Sequence, residues 1–421
     1  MKLNLFKPLA HRPFALLWSG QTVSRLGDSL FRIALAWWVL EKTGSATAMA
    51  TVLVFSSVPM LIFLLIGGVV TDRFPRLRIM LLSDLLSGLV LSVVTLLAFT
   101  GRLEVWHIYI ASILFGFVEA FFTPAYTATI PEITPKELLP GANSLTSLSQ
   151  PLTSVIGPAL GASIIALGGT PTAFALDSLS FFISAACVIP ILRFNSLLNQ
   201  PISTSAAQSG LESGSVNPGL QTVFRDLGEG FKAVIASNWL WITIAIFAVI
   251  NVTAFSPMAV SMPFLVKTNL HAGVGTLGLF SSVRAAGFVI GAIWLGSFSK
   301  IRRRGPFGYI STVFTGIIVA IFGLTTSIPV LVVIAFLGGL VISVFGLIWT
   351  NSLQELVPRE LLGRVASIDA LGSYVLLPIG YAIAGWGTNL VGAPLVFIIG
   401  GALTVLLALL GLSHPAIRNL D

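Results

Sequence analysis

The sequence predicts an all-α membrane protein whose twelve transmembrane helices form two six-helix repeats. Three observations carry that expectation. Of 421 residues, 55% are hydrophobic and only 9% charged, with a mean hydropathy of +0.96, whereas a soluble chain needs about 25% charged residues to cover its surface. The outside of such a protein must be apolar, with lipid as its solvent. Apolar windows of about 20 residues, the length that crosses a hydrocarbon core of roughly 30 Å, recur along the whole chain. A charged loop of the first half also returns 223 residues later.

The first span, 14–40, is full length and is followed by eleven more, so it reads as an anchor that stays rather than a cleaved signal. Spans 47–71, 77–100, 105–130, 142–167 and 171–194 complete the first half. Spans 239–266, 274–299, 307–326, 329–352, 366–390 and 393–412 form the second. The expected organisation is a six-helix bundle over 1–194, a cytoplasmic linker over 195–237 and a second six-helix bundle over 238–421. Within the linker, the Ser/Gly/Gln-rich run from Thr204 to Gln221 reads as flexible. Its end, Phe224 to Ile235, sets Arg225, Asp226, Glu229 and Lys232 beside Phe224, Leu227 and Phe231. That suits either a short amphipathic helix on the inner membrane surface or a solvated lead-in to the seventh span.

Charge placement orients these spans. With the N-terminus in the cytoplasm, seventeen of the 23 Lys and Arg residues fall inside. Only Lys42, Arg102 and Lys267 fall outside, and Arg25, Arg32 and Arg284 lie within spans. A bias of this size places both termini in the cytoplasm. It also accounts for the net charge of +7 without nucleic acid, which is not expected as a partner. Trp37, Trp38, Trp106 and Trp386 lie at outer span ends, where interfacial anchoring is the simplest role.

Several chemistries are excluded. There is one cysteine, Cys187, and His11, His107, His271 and His414 never stand at ligand spacing, so neither disulfide, metal site nor cofactor is expected. No glycine-rich loop ends in Gly-Lys-Ser/Thr to hold ATP phosphates. No nucleophile and base pair lies within the spans, so the chain does not read as an enzyme. Any work it performs must draw on a gradient.

The repeat narrows the architecture. Pro135-Lys-Glu-Leu-Leu after span 4 returns as Pro358-Arg-Glu-Leu-Leu after span 10, and at the same offset Ile156-Gly157 pairs with Ile379-Gly380. Gly68, Asp72 and Arg76 after span 2 correspond to Gly296, Lys300 and Arg304 after span 8. Two parallel six-helix repeats make a rocking transporter with its substrate site between the halves.

At Gly68, Asp72, Arg73 and Arg76 the chain resembles the loop signature of the major facilitator superfamily. Trp18-Ser-Gly-Gln21, Thr43-Gly44-Ser45-Ala46, Phe122-Thr123-Pro124-Ala125 and Leu362-Gly363-Arg364-Val365 resemble its macrolide-efflux branch of drug:proton antiporters. The resemblance implies a secondary active transporter in a bacterial cytoplasmic membrane. It would export a lipophilic drug or metabolite, such as a macrolide, in exchange for protons by alternating access, with membrane lipids around a monomer. A dedicated exporter of one metabolite such as a siderophore, a lysophospholipid flippase and, from another class, a non-transporting membrane receptor remain alternatives. The same resemblance makes the Gly68, Asp72, Arg73 and Arg76 loop a conformational latch. In span 5 it makes Gly157, Pro158 and Gly161 an antiporter motif, where a Gly-Pro pair bends the helix and glycines four apart admit a close neighbour. The family's span 4 usually carries an arginine four residues before the position of Gly116. Here that position is Ser112, so the resemblance supplies no arginine-based proton relay.

Ionisable groups deep in the spans are the remaining candidates, because each costs roughly 2.5–3.5 kcal/mol to insert and so needs a partner, water or a function. Arg25, Asp28 and Arg32 stack on one face of span 1, either as a permanent brace or as a proton-exchanging face of the central cavity. Glu119, with no basic neighbour at helical spacing, is the second candidate for proton coupling. Asp84 and Asp177 read as hydrogen-bond acceptors that fix helix contacts. Arg284 is a cavity charge, either paired across the cavity or drawn to an anionic substrate group. Gln21, Phe122, Asn143, Gln150, Asn251, Trp294 and Asn351 are candidates for a mixed polar and aromatic pocket.

Overall fold

A computed structural model describes residues 4–198, 220–296 and 303–421, and every regular element among them is helical. Residues 204–219 of the linker run, Lys300 and the side chain of Asp72 lie outside the described residues. The helices are α1 (Arg12–Thr43), α2 (Ala46–Arg73), α3 (Arg76–Phe99), α4 (Val105–Ile133), α5 (Leu139–Leu198), α6 (Leu220–Ala236), α7 (Asn238–Ile250), α8 (Ser256–Val260), α9 (Met262–Phe264), α10 (Val274–Gly296), α11 (Arg304–Leu324), α12 (Ile328–Leu356), α13 (Arg359–Tyr374), α14 (Leu377–Val391), α15 (Ala393–Ser413) and α16 (Pro415–Arg418). Two π-helical turns, Asn251–Phe255 and Leu265–Asn269, flank α8 and α9.

Ten segments among the described residues are long and apolar enough to cross a membrane, against twelve expected. Two places account for the difference. Leu139–Arg193 holds 55 residues, about 80 Å of helix at 1.5 Å per residue and far more than one crossing. Gly169, at φ 76° and ψ 170°, breaks it where the sequence separates spans 5 and 6. The other is α1, which is 32 residues long but carries Arg25, Asp28 and Arg32 within a single crossing length.

Local signals explain the tight turn between α1 and α2. Gly44 takes the left-handed conformation (φ 61°) that ends α1, and the Ser45 hydroxyl accepts from Ala48 N to start α2.

In the first half α1 lies against α5, α2 against α4, and α3 against both α4 and α5. In the second, α10 packs on α12, and α11 on α12 and α15. The repeat is visible in the packing itself. A Cβ on Gly116 of α4 would overlap the carbonyl of Ser56 in α2, and one on Gly339 of α12, 223 positions later, would overlap the carbonyl of Arg284 in α10. Close backbone approach of this kind drives helix association where lipid removes the hydrophobic incentive.

The halves meet where α5 crosses α10 and where α2 meets α14. At that end one apolar core draws on both, joining Trp37, Val39 and Met49 to Phe264, Phe280 and Phe322. At the opposite end the cores are separate. Phe14, Leu17, Met80 and Ile133 pack within the first half, while Val234, Leu353 and Val365 pack within the second.

Trp37 belongs to the shared core, which corrects its expected role as an interfacial anchor. It is buried, and its Nε1 donates to Glu41 Oε1 at 2.8 Å. Trp106 and Trp386 are 56% and 65% exposed, as anchors are. The amphipathic segment forms a helix, α6, and is clamped to α13: Glu229 pairs with Arg364, and Gly230 sits against the Arg364 backbone.

Candidate functional site

Helical spacing of three and four puts Arg25, Asp28 and Arg32 on one face of α1, yet the two arginines turn to other partners. The Arg25 guanidinium lies 5.0 Å from the Tyr126 ring centre and donates to Thr146 O at 3.4 Å. Arg32 Nη2 donates to Ser29 Oγ at 2.9 Å. Asp28 makes no hydrogen bond or ion pair among the described residues, although the charges of Arg32, Glu119 and Arg25 act on it through space. That arrangement is unlike a salt-bridged brace. Glu119, on α4, is exposed and accepts from Thr123 Oγ1 one turn on at 2.6 Å.

Asp84 and Asp177, which the sequence places shallowly at opposite ends of the bundle, both come against α1. Asp84 Oδ2 accepts from Ser184 Oγ at 2.7 Å and Gln21 Nε2 at 3.5 Å, so Gln21 belongs to a buried acceptor site and not to a drug pocket. Asp177 is only half satisfied. Its Oδ1 accepts from Ser180 Oγ at 3.1 Å, while its Oδ2 is buried without a partner. A Cβ on Gly27 would overlap Asp177 Oδ1, so this carboxyl packs against the backbone of α1 one residue before Asp28. The charge of Asp28 acts on both buried aspartates. Asp84, Glu119 and Asp177, on α3, α4 and α5, therefore lie within electrostatic range of Asp28 on α1.

The α5 motif is the seam between the halves. Gly157 lies against Ser29, and an added Cβ on Gly161 would stand 3.1 Å from Leu30 Cα, so α5 presses on α1 directly below the charged face. On its other side the Pro158 carbonyl faces Gly278 of α10, and Ala159 N donates to Ser282 Oγ at 3.0 Å. Asn389 of α14 closes the second side of the seam by capping α2. Its Oδ1 accepts from Ala46 N at 2.9 Å, and its Nδ2 donates to Ser45 Oγ at 3.1 Å and Thr47 Oγ1 at 2.8 Å. Asn389→Ala removes all three and leaves an orphan helix N–H. It should weaken this seam by about 1–3 kcal/mol, read as a raised alkylation rate of a cysteine placed at Met49, which is buried in the shared core.

The expected latch is only partly described. Arg76 Nη1 donates to Ala128 O at 3.2 Å and lies 3.4 Å from Glu132 Oε2, joining α3 to α4 within one half. Arg73 is exposed at the end of α2. The space around Gly68 is open, whereas its neighbour Gly67 is pressed on the Ala120 carbonyl. Because the Arg76–Glu132 pair is substantially exposed, Glu132→Gln should change thermal stability by less than about 1 kcal/mol.

A cavity of about 620 Å³ opens in the second half, within the range of roughly 300–1,000 Å³ usual for small-molecule sites. Its walls carry Phe247, Phe255, Phe345, Trp349, Tyr374 and Tyr381, with Asn251, Arg284 and Asp369 as polar points. Asn251 alone of the expected pocket residues lines it. Phe122 instead stacks on Tyr126, 6.0 Å between ring centres. Asp369 and Trp349 escaped notice in the sequence because each looks like an ordinary helix-end residue. Together they form a hydrogen bond, Trp349 Nε1 donating to Asp369 Oδ2 at 2.9 Å.

Comparison with known proteins fits this geometry. Residues 4–413 match the major facilitator family described as transmembrane secretion effector. Macrolide efflux protein A of Streptococcus pyogenes is 26% identical over 97% of each chain. Multidrug efflux pump Tap of Mycolicibacterium fortuitum is 24% identical over 97% of each. The enterobactin exporter EntS of Citrobacter koseri is 25% identical over 94% of each. A bacterial homologue of the iron transporter ferroportin, crystallised in its inward-facing state, superposes with a TM-score of 0.67 at 15% identity, covering 96% of this chain and 99% of that one. A POT family transporter in complex with 5-aminolevulinic acid gives 0.70 at 12% identity over 95% of each. These two share the fold. The chain belongs to the transmembrane secretion effector family of the major facilitator superfamily, multi-span transporters of the membrane.

Proposed function

We propose that the protein exports a lipophilic small molecule across the bacterial cytoplasmic membrane by alternating access, exchanging it for protons. The observation that carries this is the one-ended seam: the halves share a core at the α5–α10 end, while the cores at the other end are separate and the second half carries an open cavity. With the basic loops in the cytoplasm, both termini are cytoplasmic, the split end faces inward, and the cavity can load from the cytoplasm. The bundles 1–194 and 238–421 then rock about it, joined by 195–237. Asp28 and Glu119 are the proton-coupling groups of this reading, and one chain supplies every part, so it works as a monomer. The Gly68–Arg76 loop serves as the latch of the inner end.

Efflux names among the relatives support export, and the match to an enterobactin exporter favours, as second reading, a dedicated siderophore exporter. Everted vesicles decide the coupling: a fluorescent macrolide should accumulate under an imposed pH gradient and leak out when the gradient is collapsed. Accumulation indifferent to collapse would sink proton antiport. A susceptibility panel of cells with and without the protein separates the two substrate readings, since broad protection belongs only to the first.

A further inference from the structure

Arg284 lies on α10 and presents exposed surface to the cavity that it lines. It makes no hydrogen bond, ion pair or ring contact among the described residues. The other charge of the cavity, Asp369, is already occupied, accepting from Trp349 Nε1 and bonded to the Ser373 side chain. A guanidinium held inside the membrane without a counter-charge is costly, and chains keep such groups chiefly where a ligand or water completes them. Its planar fork of donors matches a carboxylate or a phosphate two bonds at a time. The walls beside it, Phe247, Phe255, Phe345 and Trp349, offer flat apolar faces. Phe345 stacks on Phe247 at 3.8 Å between ring centres, which leaves a continuous aromatic wall.

We propose that the cavity binds amphipathic organic anions, with Arg284 holding the carboxylate, phosphate or phenolate head and the aromatic wall holding the apolar body. The assignment rests on the transport reading for its purpose, but it concerns an equilibrium property that does not need transport. A basic drug lacks the group that Arg284 would hold, so between ligands of the same apolar body the acidic one binds more tightly.

The test is titration calorimetry on the full chain in lipid nanodiscs, with empty nanodiscs as blank. Three matched probes are compared: 2-naphthylacetate, 2-naphthylacetamide and 2-(2-naphthyl)ethylammonium. The acetate should bind about tenfold or more tightly than the amide, the scale of a charge-assisted pair, and the ammonium weakest. Arg284→Lys should keep the order with a smaller gap, and Arg284→Gln should level acetate and amide. Should Arg284→Gln fail to purify as one species, Arg284→Met serves the same comparison. Equal binding of the three, no binding of any, preference for the ammonium, or an acetate preference that survives loss of the charge would each overturn the assignment. Failure of vesicle efflux with the acetate preference intact counts against export alone.

Discussion

Asp28→Asn should fold and bind substrate yet fail to accumulate it. In everted vesicles, gradient-driven uptake should fall by about two orders of magnitude, the scale on which loss of an essential proton-transfer group acts. Substrate counterflow, which needs no net proton movement, should persist. Folding should survive because two effects of similar size oppose each other. Removing the carboxylate relieves an insertion cost of roughly 2.5–3.5 kcal/mol. It also forfeits the attraction of Arg32 and Arg25, about 2 kcal/mol for each at an effective dielectric near 20 and a separation of about 8 Å, of which the lost repulsion of Glu119 returns a part. No hydrogen bond is lost, since Asp28 makes none among the described residues. Wild-type accumulation by Asp28→Asn would remove the first helix from the coupling mechanism. Glu119→Gln separates the candidates: Glu119 is exposed and, among the described residues, bonded only to Thr123, so its loss should slow coupling without abolishing it.

A second large effect is expected from Gly278→Leu. A Cβ at Gly278 would stand 2.5 Å from the Ala162 Cβ and 2.6 Å from the Pro158 carbonyl oxygen, against rigid helix rather than a movable side-chain tip. Overpacking of this kind costs about 1–3 kcal/mol for a few carbons. Only the conformation with the α5–α10 seam closed bears that cost. A 3 kcal/mol penalty shifts the equilibrium by roughly 150-fold toward opening at that end. The readout is the distance between spin labels at Trp106 and Trp386, both exposed, in a background with Cys187 replaced by serine. The distance should lengthen and transport should stall with the protein still folded. An unchanged distance together with normal transport would show that the seam does not open during the cycle.

What could be read in advance follows the range of the interactions involved. Hydropathy and loop charges are properties of contiguous segments, so the helices and the repeat were legible, and Asp28 stood out because a carboxylate in an apolar run has no local explanation. The meeting of Asp84 and Asp177 with α1, at Gln21 and Gly27, was not legible, since their depth along separate helices says nothing of which face each presents. Asn389 caps a helix 343 residues away, and no local pattern marks a cap that arrives from another repeat. Trp37 misled for the same reason: an aromatic at a span end is equally at home in lipid or in a core.

The shared core at the α5–α10 end has a thermal consequence. Parting it transfers the surfaces of residues such as Trp37, Met49, Phe264 and Phe280 from a packed interior to a water-filled vestibule, at about 0.45 cal/K/mol of heat capacity per Å² of apolar surface. Apolar cohesion weakens on cooling. The occluding end should therefore open more readily in the cold, and the Arrhenius plot of transport should bend, its apparent activation enthalpy drifting with temperature where a polar gate would give a straight line.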